Sequence, residues 1–218
     1  MPRSTRIEYP GALYHVTARG VQQGAIFVDD RDRGCLLAIL ARTLAACEAR
    51  AFAFCLMGNH YHFVLQTRQA NLSVLMHRVN SLYSLTFNRR HGRRGHVFEG
   101  RFKALHVDRD AYLIEVCRYV DLNPVRAGLV ASPEQWAWSS FRAHAGYTPS
   151  PSWLATAELH GTLTGPVPQD GVQTSAAQLR YADWVDAGRG VQLWRESLRD
   201  GLYLGDEAFV ERVKLRAS

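Results

Sequence analysis

The chain has 218 residues, of which 47% are hydrophobic and 21% charged; this ordinary globular usage excludes a disordered chain, and no apolar run approaches the ~20 residues of a membrane span. Its formal net charge of +6 sits in the first half: residues 1–110 carry 16 Lys+Arg against 8 Asp+Glu, and residues 111–218 carry 10 against 12. That asymmetry points to a polyanion partner.

The basic start, Met-Pro-Arg-Ser-Thr-Arg, runs into Ile7-Glu8-Tyr9-Pro10 rather than an apolar stretch, so no secretory signal is read there and the expected placement is cytoplasmic. Cys35, Cys47, Cys55 and Cys117 form neither a Cys-x-x-Cys pair nor a dense framework, and are expected as reduced core residues.

Leu13-Tyr14-His15-Val16-Thr17 alternates and is rich in β-branched and aromatic residues, which predicts a strand ending near Gly20. Residues 30–50 predict a helix, with Leu36, Leu37, Leu40 and Leu44 at helical spacing. Residues 51–57 and 60–67 predict a hairpin, joined by Gly58-Asn59, a pair suited to the positive φ angles of tight turns. Asn71 is placed to cap a second helix whose apolar face is Leu72, Leu75, Met76, Val79, Leu82, Tyr83 and Phe87. It runs into a loop holding Arg89, Arg90, Arg93 and Arg94. A fourth strand over residues 104–107 and a third helix over 110–123, stopped by Pro124, complete the order β-α-β-β-α-β-α. The expected fold class is α+β: one ferredoxin-like antiparallel sheet with helices on a face.

Beyond Pro124 the signals change. Ser132-Pro133-Glu134-Gln135 reads as a capped helix start leading into Trp136, Trp138 and Phe141. Residues 147–171 hold half of the eight prolines and predict an ordered, irregular connection. Two more helices are expected over residues 174–187 and 206–215, with Leu193-Trp194 and Leu202 to Leu204 between them. A domain over residues 1–130 and a largely helical extension over 131–218, packing on the first, follow from this division.

The chemistry concentrates in Met57-Gly58-Asn59-His60-Tyr61-His62. Residues two apart on a strand share a face, so His60 and His62 project together while Tyr61 points away. Two neutral imidazoles side by side can hold one divalent metal, given a third ligand. Tyr119 and Asn123, four apart on the third helix, share a face, and an amide oxygen is a competent ligand. A phenol is a poor nucleophile at neutral pH, but a cation can polarise a phosphodiester and stabilise the attacking phenolate. Tyr112 lies two turns earlier on nearly the same face, and spacing alone does not exclude it.

Arg3, the run Tyr9-Pro10-Gly11-Ala12-Leu13-Tyr14-His15-Val16-Thr17, Arg19-Gly20, the His60/His62 segment, Gly100-Arg101-Phe102-Lys103, Tyr119 with Leu122-Asn123-Pro124-Val125-Arg126-Ala127-Gly128, and Trp136-x-Trp138-Ser139-Ser140 closely resemble the REP-associated tyrosine transposases, a branch of the single-tyrosine HUH transposases. The likeness runs in register over residues 1–146. It implies that His60 and His62 are metal ligands, Tyr119 the nucleophile and Asn123 the residue completing the metal site. It implies cutting of single-stranded DNA beside a hairpin, with a 5′-phosphotyrosine intermediate and a free 3′-hydroxyl, in the presence of Mg²⁺ or Mn²⁺. On ligand chemistry alone the imidazole pair favours manganese or a softer metal over magnesium, which leaves the identity of the metal open. Single-stranded or hairpin DNA is the expected partner, with no membrane and no nucleotide cofactor involved; a monomer is expected, with a dimer as the alternative. The rivals are a DNA-hairpin-binding regulator that does not cut, and a metal nuclease that activates water.

Arg101, Lys103 and Arg126 flank this site as candidate phosphate contacts, and Arg89, Arg90, Arg93 and Arg94 extend the basic surface. Arg3 and Arg6, on an amino-terminal arm, are candidate base contacts. Trp136, Trp138 and Phe141 read as core packing before base stacking, and His15 as a structural residue.

Overall fold

The computed structural model describes residues 6–165, 171–191 and 198–216. Among these the elements are β1 (Leu13–Arg19), α1 (Asp30–Ala46), β2 (Ala49–Leu56), β3 (His60–Thr67), α2 (Leu72–Arg90), β4 (Lys103–Val107), α3 (Arg109–Asp121), α4 (Asn123–Arg126), α5 (Phe141–His144), α6 (Thr156–Thr164), α7 (Gly171–Asp186), β5 (Leu198–Arg199), β6 (Tyr203–Leu204) and α8 (Glu207–Leu215). The class is α+β, as expected. No helix among the described residues is long and apolar enough to cross a membrane.

The strand order is β2-β3-β1-β4-β6-β5. The first four strands are antiparallel, as expected, but β6 pairs with β4 in parallel, so the sheet is mixed. The helices also depart from expectation, since they cover both faces. On one face Tyr14, Val16, Tyr61, Phe63 and Leu65 pack with Leu36 and Leu40 of α1 and Leu75 and Val79 of α2. On the other, Leu13 and Val64 pack with Leu113, Val116 and Val120 of α3 and with Leu159 and Tyr181. Every strand residue points one way or the other, so both faces need an apolar cover, each buried Leu or Phe contributing about 1.5–3 kcal/mol.

Local departures have identifiable causes. Helix α1 stops four residues early, where Glu48 takes a φ of 49° and Ala49 and Arg50 pair with Thr67 and Gln66 of β3. The β2–β3 connection is residues 57–59, closed by Met57 N–H donating to the His60 carbonyl at 2.9 Å. Gly58 and Asn59 join the two strands as expected, but neither takes a positive φ, so the turn is not of the primed type. The Asn71 side chain does not cap α2; its Nδ2 donates to the Cys47 carbonyl at 2.9 Å.

After a 3₁₀ turn at Pro133–Gln135 no helix follows through the tryptophans. Instead the chain extends along the outer edge of β2, with Leu56 N–H donating to the Trp138 carbonyl at 2.8 Å and Ser140 N–H to that of Phe54 at 2.9 Å. An exposed strand edge needs such partners, and that demand overrides the local helix signal. The stretch expected to be irregular contains α6; the two helices beyond it form as α7 and α8, and Asp206 caps α8 by accepting from Phe209 N–H at 2.7 Å. Leu193-Trp194 lies outside the described residues. All four cysteines are free, with Cys47, Cys55 and Cys117 buried.

Candidate active site

The α3 face of the sheet carries the polar row. Thr17 of β1 stands opposite His62 of β3 on one side and Lys103 of β4 on the other, and Arg19 stands opposite His60. Cross-strand partners share a face, so His60, His62, Thr17, Arg19 and Lys103 belong to one floor. Tyr61 points the other way, wholly buried, with its hydroxyl donating to Asn80 Oδ1 at 2.6 Å. Beside the floor lies a cleft of about 670 Å³, lined also by Arg6, Glu99, Gly100, Arg101, Phe102, Tyr119 and Asn123.

Helix α3 brings in Tyr119; it ends at Asp121, two residues before the expected end, and Asn123 opens the short α4, whose first turn accommodates Pro124. Leu113, Val116, Cys117 and Val120 seat it on the sheet. Its end is fixed by Asp121, wholly buried, which accepts from Ser140 Oγ and from the Tyr181 hydroxyl, each at 2.7 Å. Burial pushes the Asp121 carboxyl up to about 7. The Tyr119 ring stands edge-on to His15 at 5.7 Å and to His62 at 6.0 Å between centroids. The Arg126 guanidinium lies 5.0 Å from the Tyr119 ring centre and donates to the Val191 carbonyl at 3.0 Å. Asn123 Nδ2 donates to the Tyr119 carbonyl at 2.9 Å, which turns the amide nitrogen to the helix and leaves Oδ1 as its ligating atom. Tyr112 is half-buried in the apolar layer and does not line the cleft.

Burial holds both cleft imidazoles neutral. The His60 pKa is lowered by burial and by Arg19; that of His62 is pushed well down by burial and then by His15, His60 and Arg19. Neutral imidazole is the ligating form. The two rings are 5.0 Å apart between centroids. Nδ1 of His60 meets Asn59 Oδ1 at 2.6 Å and Nδ1 of His62 meets His15 at 2.9 Å, while the buried Nε2 of His62 has no hydrogen-bond partner. A buried nitrogen left unpaired costs about 1–3 kcal/mol unless something fills its lone pair. His60 and the amide of Asn123 line the same cleft as His62, whose unpaired Nε2 suits a ligand to a divalent cation. Among the described residues no group of three His, Cys, Asp or Glu forms a cage for one.

The expected basic residues divide. Arg6, Arg101 and Lys103 line the cleft. Arg6 is no free arm, since it stacks 3.7 Å over the Phe102 ring centre and donates to its carbonyl at 2.8 Å. Arg126 reaches the site through Tyr119, whereas Arg89, Arg93 and Arg94 are exposed outside it. Arg90 is held by Asp29 at 2.5 Å and by buried Asp32, so its charge is matched internally. Arg3 lies outside the described residues. Trp136 donates to the Leu56 carbonyl at 3.2 Å and Trp138 and Phe141 pack into the two apolar layers, as expected. The cleft adds Thr17, Arg19 and Glu99, which sequence reading did not nominate. Strand alternation puts Arg19 on the same face of β1 as His15 and Thr17, but its meeting with His60 follows from the register of β1 against β3.

The family model described as "Transposase IS200 like" matches residues 9–123. A solved structure of a REP-associated tyrosine transposase bound to a REP hairpin is similar in fold, at 15% identity and a TM-score of 0.57, over 71% of this chain and 92% of that one. No protein of curated function matches. The family match covers more than half of the chain and contains β1, β3, β4 and α3, the elements that build the cleft, and the chain belongs to the IS200-like transposase family.

Proposed function

We propose that this chain cuts and rejoins single-stranded DNA beside a hairpin, using Tyr119 as nucleophile, as in the REP-associated branch of the family. The observation that carries the reading is the meeting of Tyr119 with His62, whose Nε2 is unpaired, in one basic cleft. The Tyr119 phenol gives up its proton to solvent, its oxygen bonds to phosphorus, and the bond from phosphorus to the 3′ oxygen breaks as that oxygen takes a proton from solvent. A 5′-phosphotyrosine remains on the chain with a free 3′-hydroxyl, whose return attack restores the strand. His60, His62 and Asn123 would hold a divalent ion, Mg²⁺ or Mn²⁺, which would supply polarisation of the phosphodiester. Arg6, Arg19, Arg101 and Lys103 seat phosphates, and Arg126 keeps the Tyr119 ring in place.

The REP hairpin in the similar structure supports a DNA hairpin as the substrate class. Residues 1–130 are assigned the chemistry and residues 131–218 a covering role. A monomeric state is supported by the sheet edges: residues 138–140 bond along β2, and β6 and β5 follow β4. The outermost strand on that side is the two-residue β5.

Incubation with Mn²⁺ and a labelled hairpin, followed by denaturation, is expected to leave a protein–DNA band that Tyr119→Phe lacks and Tyr112→Phe keeps. A band lost with Tyr112→Phe alone reassigns the nucleophile. Cutting without any adduct makes the protein a water-activating nuclease, and binding without cutting under either metal makes it a hairpin-binding regulator.

A further inference from the structure

An imidazole offers a lone pair at Nε2 only while its proton sits on Nδ1, and in water nothing holds it there. The structure places a second imidazole against that nitrogen. His15 of β1 lies in register with Val64 of β3, diagonal to His62 and on the same face. Its ring is parallel to that of His62 within 7°, with 5.2 Å between centroids, and its Nε2 is 2.9 Å from His62 Nδ1. Both side chains are buried. His15 is not a third ligand, since no three such residues form a cage among the described residues.

We propose that His15 is a positioning residue: its Nε2 accepts the Nδ1–H of His62, fixing the tautomer and tilt that leave the lone pair of His62 on Nε2. The proposal rests on the metal-site reading of His60 and His62 given above. Metal-bound histidines are commonly oriented by a carboxylate, which adds negative charge to the ligand. A neutral imidazole in that place orients His62 without adding charge, so a cation held by His62 would keep its full positive charge. His15 thereby acts on the reaction through His62 and touches no DNA.

The test uses the full-length, metal-free chain with ¹⁵N-labelled histidine, in which long-range ¹H–¹⁵N correlations report which ring nitrogen of His62 is protonated. The wild type is expected to show His62 protonated on Nδ1. His15→Gln, whose amide oxygen reaches the position of the missing Nε2, is expected to keep that tautomer. His15→Leu is expected to release it and to weaken Mn²⁺ binding, read by electron paramagnetic resonance, by about 10–100-fold. Protonation of His62 on Nε2 in the wild type overturns the proposal, as does a His15→Leu protein with unchanged tautomer and unchanged Mn²⁺ affinity. Should His15→Leu fail to fold, a folded His15→Gln protein with His62 protonated on Nε2 overturns it equally. Wild-type protein that shows the Nδ1 tautomer but binds no Mn²⁺ sinks the metal-site reading and leaves the orientation of His62 by His15 standing.

Discussion

Two groups of buried histidines lie on the α3 side of the sheet, and their hydrogen bonds separate them. At the cleft, His62 has one nitrogen on His15 and the other on nothing. Beneath α6 and α7, His144 has both satisfied, Nε2 donating to the Phe52 carbonyl at 2.9 Å and Nδ1 accepting from Thr156 Oγ1 at 3.0 Å, while His160 Nε2 donates to the His144 carbonyl at 2.9 Å. Burial is equal in kind at both places. On the proposed reading, the unsatisfied nitrogen, together with its place in the cleft, sets His62 apart as a ligand, whereas His144 and His160 are bonded into the architecture.

The contrast breaks most easily at its functional end. His62→Ala is expected to cut the rate of adduct formation about 10³-fold, several kcal/mol of transition-state stabilisation, with hairpin binding retained. The lost packing and the partner stripped from His15 are offset only in part by removal of an unpaired buried nitrogen, so the melting temperature is expected to fall by about 4–8 °C, less than for His144→Ala. Equal loss of binding and of cutting in gel-shift and cleavage assays assigns His62 to structure instead. His144→Ala is expected to do the opposite: it strips the donor from Phe52 and leaves a cavity, costing about 2–4 kcal/mol and lowering the melting temperature by about 10 °C. Mn²⁺ affinity of the folded protein should be unchanged, and a change there would dissolve the distinction.

The same histidine sharpens the comparison through pH. Burial holds the folded-state pKa of His144 down at about 3, against about 6.5 in the unfolded chain. As pH falls below 6.5 the unfolded chain takes up a proton that the folded one refuses, so stability declines by about 1.4 kcal/mol per pH unit toward pH 3. Denaturant titrations at pH 7 and pH 5 are expected to show the stability gap between wild type and His144→Gln narrowing by about 2 kcal/mol. A gap independent of pH shows that His144 is charged in the fold. The smallest effect is on salt dependence. Replacing Arg93 and Arg94 with glutamine is expected to flatten the logarithmic salt slope of hairpin binding by about 0.7–0.9 for each phosphate left without its cation, and Arg101 with Lys103 likewise, whereas Arg90→Gln should cost stability and leave the slope alone. An unchanged slope for Arg93 and Arg94 confines the footprint to the cleft.

Period and spacing carried much of this in one dimension. Alternation alone separated His60 and His62 from Tyr61, and four-residue spacing put Tyr119 and Asn123 on one turn of helix. What sequence did not reveal is pairing between distant segments. The meeting of His15 with His62 depends on the register of β1 against β3, and no local pattern encodes that register. Arg90 belonged to a basic run until Asp29 and Asp32, from the start of α1, neutralised it. Trp136 to Ser139 carries helix-start chemistry before it and lies extended because β2 needed partners. Strands β5 and β6, two residues each, are too short for any periodicity to register.

The parallel joint between β4 and β6 has a consequence in time. His106 and Val107 find their partners in Tyr203 and Leu204, nearly half the chain later. During synthesis at about 5–20 residues per second, the four antiparallel strands emerge on the order of ten seconds before β6 does. Through that interval the free side of β4 is an unpaired strand edge next to Lys103, the condition under which nascent chains pair with the wrong strand. The last stretch of the chain therefore sets the moment at which the sheet becomes safe from its neighbours on the ribosome.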